Sequence, residues 1–167
     1  MPSPFVVNVG GLRRVHGTRR AAQCRGPIPG LAVTGSAVPE DADVVVDVVL
    51  ESVPAAVLAT GRVEAPWRGE CRRCLGDASG RMHVAVRELF EEQPDPDQTY
   101  PLDGDKLDLG PMARDAVLLE LPLVPLCREG CRGLCLRCGT DLNQGDCGCA
   151  PELVDHRWAA LDALREN

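Results

Sequence analysis

The stretch CREGCRGLCLRCGTDLNQGDCGC, residues 127–149, contains six of the nine cysteines of the chain, and CRRC at residues 71–74 adds a separate pair. Zinc in a structural site takes four soft ligands, and a CxxC turn lets two sulfurs reach one metal ion. The candidate ligands are Cys71, Cys74, Cys127, Cys131, Cys135, Cys138, Cys147 and Cys149. Closed four-cysteine sites hold folds together and rarely catalyse, so the pattern predicts a zinc-stapled scaffold.

The thiols can be distributed in two ways. In the arrangement we prefer, the CRRC pair joins the first two cysteines of the later stretch, and the last four form a compact second site. Gly139 would permit the turn after the second CxxC, and Gly148 would relax the CxC link. The alternative keeps only the second site, and iron–sulfur ligation fits the spacing less well. We therefore expect one or two zinc ions, with two preferred.

Composition limits the classes of protein to which this chain can belong. The 167 residues and the 44% apolar content allow one domain of ordinary size, or a main domain with a small metal-stapled module. Aromatic residues make up only 3% of the chain, which argues against a stacking platform for single-stranded RNA. The odd number of cysteines and the start MPSPFVVNVGG, which lacks a secretory pattern, predict the reducing cytoplasm. No apolar run approaches the roughly 18 residues that a membrane span needs.

Charge is unevenly distributed along a chain whose net charge is −7. Residues 1–39 carry five arginines and no acidic residue, so this end is basic and could contact RNA phosphates, an acidic partner or solvent alone. Residues 88–108 carry eight acidic residues and are predicted to form an acidic loop. Five arginines, here called the arginine rim, lie among the cysteines and are candidate contacts to a partner protein or RNA. They are Arg72, Arg73, Arg128, Arg132 and Arg137.

A strand region is clearest at residues 57–71, where VLATGRVEAPWRGEC alternates apolar and polar residues with period two. Pro66 interrupts this run and suggests an edge position or a bulge. Alternation resumes at residues 81–90, which predicts a hairpin with the CxxC near its turn. Residues 42–52 are β-branched and add another strand. We expect an antiparallel sheet of four or more strands.

Helices are predicted after the acidic stretch. A helix over about 111–121 should end at the prolines that follow it and bring the cysteine-rich module back toward the sheet. A short C-terminal helix is predicted at residues 154–166, with an apolar stripe of Trp158, Leu161 and Leu164.

These elements together predict an α+β fold. It consists of an antiparallel β-sheet with one central helix and a cysteine-rich zinc-binding module followed by a short C-terminal helix. Residues 1–108 would form the β region, with the basic segment, the CxxC hairpin and the acidic loop. Residues 109–167 would hold the helix, the zinc module and the C-terminal helix, packed with the sheet as one compact unit.

Two other functional classes compete with a scaffold. CRRC could be the redox pair of a thiol oxidoreductase using Cys71 and Cys74, but a thioredoxin-like pair needs a βαβ setting that the sequence does not show. A zinc-ribbon regulator that binds nucleic acid is disfavoured by the acidic net charge. Cys24 is expected to be a lone thiol in a loop, and His156 is a candidate outer-shell neighbour of the second cysteine group.

Four segments resemble the YceD family, the large ribosomal RNA subunit accumulation proteins. They are CRRC after a strand, LLELPLVPLC, CRGLCLRCGTDLNQGDCGC and DHRWAALDAL, and the resemblance covers residues 60–165. It implies a cytosolic, non-enzymatic bacterial protein that is needed for normal accumulation of 23S rRNA and is often encoded beside a zinc-ribbon protein of the large ribosomal subunit. The implied partner is a ribosomal protein, a pre-ribosomal particle or 23S rRNA, and not a membrane or a small-molecule substrate.

Overall fold

An eight-stranded sheet forms the body of the protein in the computed structural model, which describes residues 3–149. The strands are β1 Val6–Asn8, β2 Arg19–Gly26, β3 Ser36–Ala37, β4 Val44–Val53, β5 Ala56–Glu70, β6 Asp77–Glu91, β7 Tyr100–Asp103 and β8 Lys106–Asp108. The helices are α1 Gly10–Arg13 and α2 Gly110–Glu120. The strand order is β1-β8-β7-β6-β5-β4-β2, and β3 pairs with the far end of β5.

The long hairpin of β5 and β6 lies at the centre of this order, and its register is unbroken from Ala56 opposite Glu91 to Glu70 opposite Asp77. The predicted alternation in β5 is confirmed, because Val57, Ala59 and Val63 are buried while the residues between them are exposed or half-buried. Successive side chains of a strand point to opposite faces, so one face of β5 packs on the core and the other meets solvent.

Pro66 lies at a local edge of β5, without a bulge. It faces Arg81 in the continuous register with β6. On the other side of β5, pairing with β4 ends at Glu64 and pairing with β3 begins at Arg68. A proline, which lacks an N–H donor, is tolerated where no neighbouring strand needs that donor.

Helix α2 covers one face of the central hairpin and contacts both β5 and β6. The Asp108 carboxylate accepts from the Gly110 amide at 2.9 Å, which satisfies one free donor at the start of the helix. Met112, Ala113 and Val117 are buried in the main core. The helix predicted near residues 111–121 is therefore confirmed.

Three expectations about local structure were wrong. The sheet is mixed, because β6 and β7 pair in parallel. The predicted acidic loop over residues 88–108 is only partly a loop, since β6 continues to Glu91 and a β7–β8 hairpin turns at Gly104, which has φ of 53°, while residues 92–99 connect β6 to β7 outside the strands. Cys24 lies buried in β2, where the sequence predicted a loop.

The coarse fold class, mostly β-sheet with few helices, is confirmed. The single central helix is not, because the described residues contain two helices and α2 lies on a face of the sheet. The predicted C-terminal helix falls outside the described residues, and the division at residue 108 stays a prediction. Among residues 3–149, no helix has both the length and the apolar character needed to cross a membrane.

Candidate metal centres

Eight cysteine sulfurs lie in two separate groups of four, and within each group all the sulfurs are within 4.8 Å of one another. Site 1 consists of Cys71, Cys74, Cys127 and Cys131, and site 2 consists of Cys135, Cys138, Cys147 and Cys149. This is the preferred distribution of the thiols. All nine cysteines of the chain are free thiols, so no disulfide competes for these sulfurs.

The sulfur separations in site 1 fit a tetrahedral zinc site. Cys71 Sγ lies 3.8 Å from Cys131 Sγ, and Cys74 Sγ lies 3.7 Å from Cys127 Sγ. Zinc–sulfur bonds of about 2.3 Å in a tetrahedron give sulfur–sulfur distances of about 3.8 Å. These two separations, with all four sulfurs within 4.8 Å of one another, would suit a divalent metal ion held by four thiolates.

The two CxxC turns share one backbone arrangement. In each, the amide of the first cysteine donates at 2.8 Å to the carbonyl five residues on, and its carbonyl accepts at 2.9 Å from the amide four residues on. That fourth residue is Leu75 in the first turn and Gly139 in the second, with φ of 59° and 72°. Turns of this kind aim successive amide N–H groups at one point, where they favour a negatively charged sulfur.

Site 1 joins the central hairpin to the chain after α2. Two of its ligands follow β5, and the other two follow the helix, as the sequence predicted for this arrangement. Two backbone hydrogen bonds of 3.0 Å hold these segments together, from the Arg72 amide to the Pro125 carbonyl and from the Leu134 amide to the Arg73 carbonyl. A metal ion at site 1 would therefore staple the cysteine-rich module to the sheet.

Two of the site 1 sulfurs belong to a small apolar cluster. Cys71 and Cys131 are 0% and 3% exposed and pack with Ala78. Trp67 contacts this cluster and the main core alike. Burial of the ligands excludes water from one side of site 1, which strengthens electrostatic interactions there.

Site 2 lies in a more open position. Cys138 and Cys149 are exposed, and the other two ligands are half-buried. Gly148 between the last two cysteines has φ of 70°, a conformation that favours glycine. The two sites therefore differ in their access to solvent.

Asn143 links the two sites, and the sequence analysis missed it. Its Nδ2 donates to Cys131 Sγ at 3.5 Å and to an Asp141 carboxylate oxygen at 2.6 Å. Its Oδ1 accepts from the Arg132 amide and from the Arg128 guanidinium, both at 2.8 Å. The polar GTDLN run between CxxC and CxC was the only sequence signal for this role. Hydrogen bonds from such outer neighbours orient metal ligands and tune their basicity.

Each site contains a thiol that loses its proton easily. Hydrogen bonds from the backbone amides of Cys127 and Cys74 lower the pKa of Cys71 to about 6. In site 2 the Thr140 hydroxyl, 3.2 Å from Cys138 Sγ, and the Thr140 amide lower the pKa of Cys138 to about 6. Metal binding requires thiolates, so both sites offer a ligand that is ionised at neutral pH.

The arginine rim is exposed throughout, and four of its five members line one cleft of about 880 Å³. The cleft lies between the CRRC turn and site 2. Arg72, Arg73, Arg132 and Arg137 line it, whereas Arg128 is not among the lining residues. Arg73 is fixed by hydrogen bonds from its guanidinium to the carbonyls of Cys131 and Glu129, at 2.9 and 3.3 Å.

No histidine within residues 3–149 belongs to either cysteine group. His83 lies 3.5 Å from the Glu64 carboxylate on the exposed side of the hairpin. His156, the predicted outer-shell neighbour of site 2, falls outside the described residues.

Comparison with known proteins gives a consistent set of matches. The family model described as "Large ribosomal RNA subunit accumulation protein YceD" matches residues 59–165. An uncharacterized protein of Mycobacterium leprae is 34% identical over an alignment of 177 positions, which covers 95% of this chain and 76% of that protein. An uncharacterized protein of Mycobacterium tuberculosis is 43% identical over 122 residues, 69% of this chain. The match spans 58% of the length of that relative.

A plant protein also matches part of the chain. The Arabidopsis thaliana protein named "Large ribosomal RNA subunit accumulation protein YCED homolog 1, chloroplastic" is 36% identical over 68 residues. These residues cover 41% of this chain and 21% of the plant protein. No solved structure matches the chain.

Proposed function

Because the chain belongs to the YceD family of large ribosomal RNA subunit accumulation proteins, we propose that it is a cytoplasmic, non-enzymatic factor that supports accumulation of 23S rRNA. It acts by binding, and its partner is a component of the large ribosomal subunit. The candidates are a ribosomal protein, the zinc-ribbon type included, and 23S rRNA within a pre-ribosomal particle. The arginine rim is the surface that meets this partner.

Zinc at both sites is part of the proposal. The gathering of eight thiols into two groups of four supports zinc binding at both sites. Thiols that ligate a metal ion are not available as nucleophiles, which agrees with a protein that is not an enzyme. Site 1 then holds the rim arginines of the CRRC turn and those of the module in one fixed arrangement. A surface of this kind suits recognition of a partner and needs no reaction centre.

The proposal is tested in the cell and on the purified protein. Depletion of the protein should lower the ratio of 23S to 16S rRNA, and a restored wild-type gene should recover it. The double variant Cys71→Ser/Cys131→Ser should fail to recover the ratio, while Cys24→Ser, which alters the one cysteine outside both sites, should succeed. An unchanged rRNA ratio on depletion would contradict the function, and clearly fewer than two zinc ions per chain by elemental analysis would contradict zinc at both sites.

One observation favours a second candidate, a thiol oxidoreductase that uses Cys71 and Cys74. The pKa of Cys71, lowered to about 6, is that of a reactive thiolate. Its full burial and the neighbouring Cys131 sulfur argue against access by a substrate. Titration with a thiol reagent separates the two, since a redox pair reacts at once and metal ligands react only after chelation.

A further inference from the structure

The cleft beside site 2 has an apolar floor that neither metal centre uses. Leu134, Leu136 and Leu142 line it, and the lining also includes Gly133, Gly148 and the site 2 ligands Cys135, Cys147 and Cys149. Leu136 is 87% exposed and lies in a CxxC turn held by backbone hydrogen bonds. A group of apolar side chains that lines one cleft and is rimmed by charged residues marks an interaction surface.

Two arginines of this cleft carry charges with no partner among residues 3–149. Arg73 donates to backbone carbonyls, and Arg132 pairs with the Asp146 carboxylate. The guanidinium groups of Arg72 and Arg137 make no hydrogen bond or ion pair within that described part of the chain. Asp146 is the one acidic residue among the lining side chains, so the cleft can accept a carboxylate.

The charge of the whole region argues against a polyanion as the occupant. Four thiolates on one Zn²⁺ leave a net charge of about −2, so two filled sites carry about −4 next to the five rim arginines. The arginines thus largely compensate the metal centres, and little positive potential remains to attract an RNA backbone. The lining also contains no aromatic side chain on which a base could stack.

We propose that this cleft binds a protein segment in which a large apolar side chain stands next to a carboxylate. The apolar side chain packs against Leu134, Leu136 and Leu142, and the carboxylate pairs with Arg72 or Arg137. A planar guanidinium binds a carboxylate through two parallel hydrogen bonds, which orients the segment as well as holding it. The inference rests on the proposed function, of which it specifies the contact surface and the chemistry of the partner.

Binding of defined probes to the full-length, zinc-loaded chain tests the proposal. The first probe is a labelled, acetylated and amidated peptide containing Asp-Leu-Phe-Asp, and the second replaces both aspartates by lysines. The third is the oligonucleotide hexauridylate. Fluorescence anisotropy should give a Kd of about 1 mM or lower for the acidic peptide, and each other probe should bind at least about tenfold more weakly. Tighter binding of hexauridylate than of the acidic peptide would overturn the proposal in favour of RNA, and failure of the acidic peptide to bind would overturn it outright.

Variants locate the binding in the cleft. Arg72→Glu, Arg137→Glu and Leu136→Ala should each weaken binding of the acidic peptide about tenfold. Arg68→Glu is the matched control, because Arg68 is an exposed arginine of β5 outside the cleft. Zinc content is measured for every variant, so that loss of the fold is told apart from loss of the contact. Binding that is insensitive to all three cleft variants would overturn the assignment.

Two further outcomes are informative. If Trp158→Ala tightened peptide binding about tenfold, the chain's own residues after Cys149 would be the occupant, and the assignment to a separate protein would fall. If the peptide failed to bind while depletion still lowered 23S rRNA, the proposed function would stand and this inference would fail. A ratio of 23S to 16S rRNA that did not change on depletion would contradict the proposed function, whatever the result of the peptide experiment.

Discussion

Asn143 shows how one side chain can connect two metal sites. It donates to a sulfur of site 1 and is itself held by the loop that runs between ligands of site 2. We predict that Asn143→Ala speeds zinc release from the protein and weakens its zinc affinity about tenfold or more, as loss of an outer hydrogen bond does. A competition assay with a coloured chelator measures the rate and the affinity. Gln144→Ala removes only an exposed contact to Asp141 and serves as the control; equal zinc affinity in the two variants would refute the role of Asn143.

Gly139 permits the backbone turn of site 2 for a reason that does not involve packing. Its φ is 72°, and an added Cβ would meet no atom within 4 Å. Gly139→Ala should therefore destabilise the zinc-bound site only through the strain of holding alanine in the left-handed conformation, which costs about 1 kcal/mol. This strain should appear as about fivefold weaker zinc binding. Gly145→Ala, at an equally open glycine without positive φ, should leave zinc affinity unchanged. Equal losses in the two variants would point to a general effect of alanine in this loop.

At the level of the strands, Gly61 decides how closely β4 and β5 approach. A Cβ at this position would overlap the Asp47 carbonyl and lie 2.7 Å from Val48 Cα, and backbone atoms cannot move aside as a side chain can. We predict that Gly61→Ala lowers the free energy of unfolding by about 2 to 3 kcal/mol. The neighbouring exposed change Thr60→Ala should cost about 0.5 kcal/mol or less. Urea titration measures both, and a Gly61→Ala chain as stable as the wild type would disprove the close approach.

The elements also show which local patterns the sequence reveals. β5 was predictable because one of its faces is core and the other solvent, which gives a clear alternation. β2 was missed because it is an edge strand with mostly exposed residues, and its RRAAQCRG carries almost no apolar signal. The sequence of the β7–β8 hairpin contains few apolar residues that indicate a strand. Leu102 and Leu107 are buried, but in the sequence they stand among acidic residues, which hid the alternation.

The candidate site was predictable to the same uneven degree. Spacing indicated the local cysteine pairs, because CxxC and CxC turns impose local geometry on their sulfurs, but it left open whether the pairs form two groups or one. The Asn143 link and the cleft depend on how separate segments meet in space, which no spacing encodes.

For the whole molecule, the main core and the metal sites are largely separate. The core of residues such as Leu50, Val57, Phe90 and Leu107 contains no site ligand. We predict that a strong chelator leaves the far-ultraviolet circular dichroism of the sheet nearly unchanged, while hydrogen exchange accelerates over residues 71–76 and 125–149. Exchange at β4 serves as the internal control, because its pairing with β5 ends at Glu64, before the CRRC turn, and none of its residues is a site ligand. Cooperative loss of all protection on chelation would show that the zinc sites and the sheet fold as one unit.

The staple at site 1 has a consequence for the order of events during synthesis. It joins Cys71 to Cys131, sixty residues apart, whereas site 2 takes all its ligands from residues 135–149. A nascent chain therefore exposes the CRRC thiols before their partners have been translated. The longer loop also adds a closure cost of about 1 kcal/mol, so we expect site 1 to load zinc roughly fivefold more slowly than site 2 when the denatured chain refolds. Stopped-flow refolding with zinc should show two phases, and Cys71→Ser should abolish the slow one. A single phase in the wild-type chain would mean that the two centres bind zinc in one step.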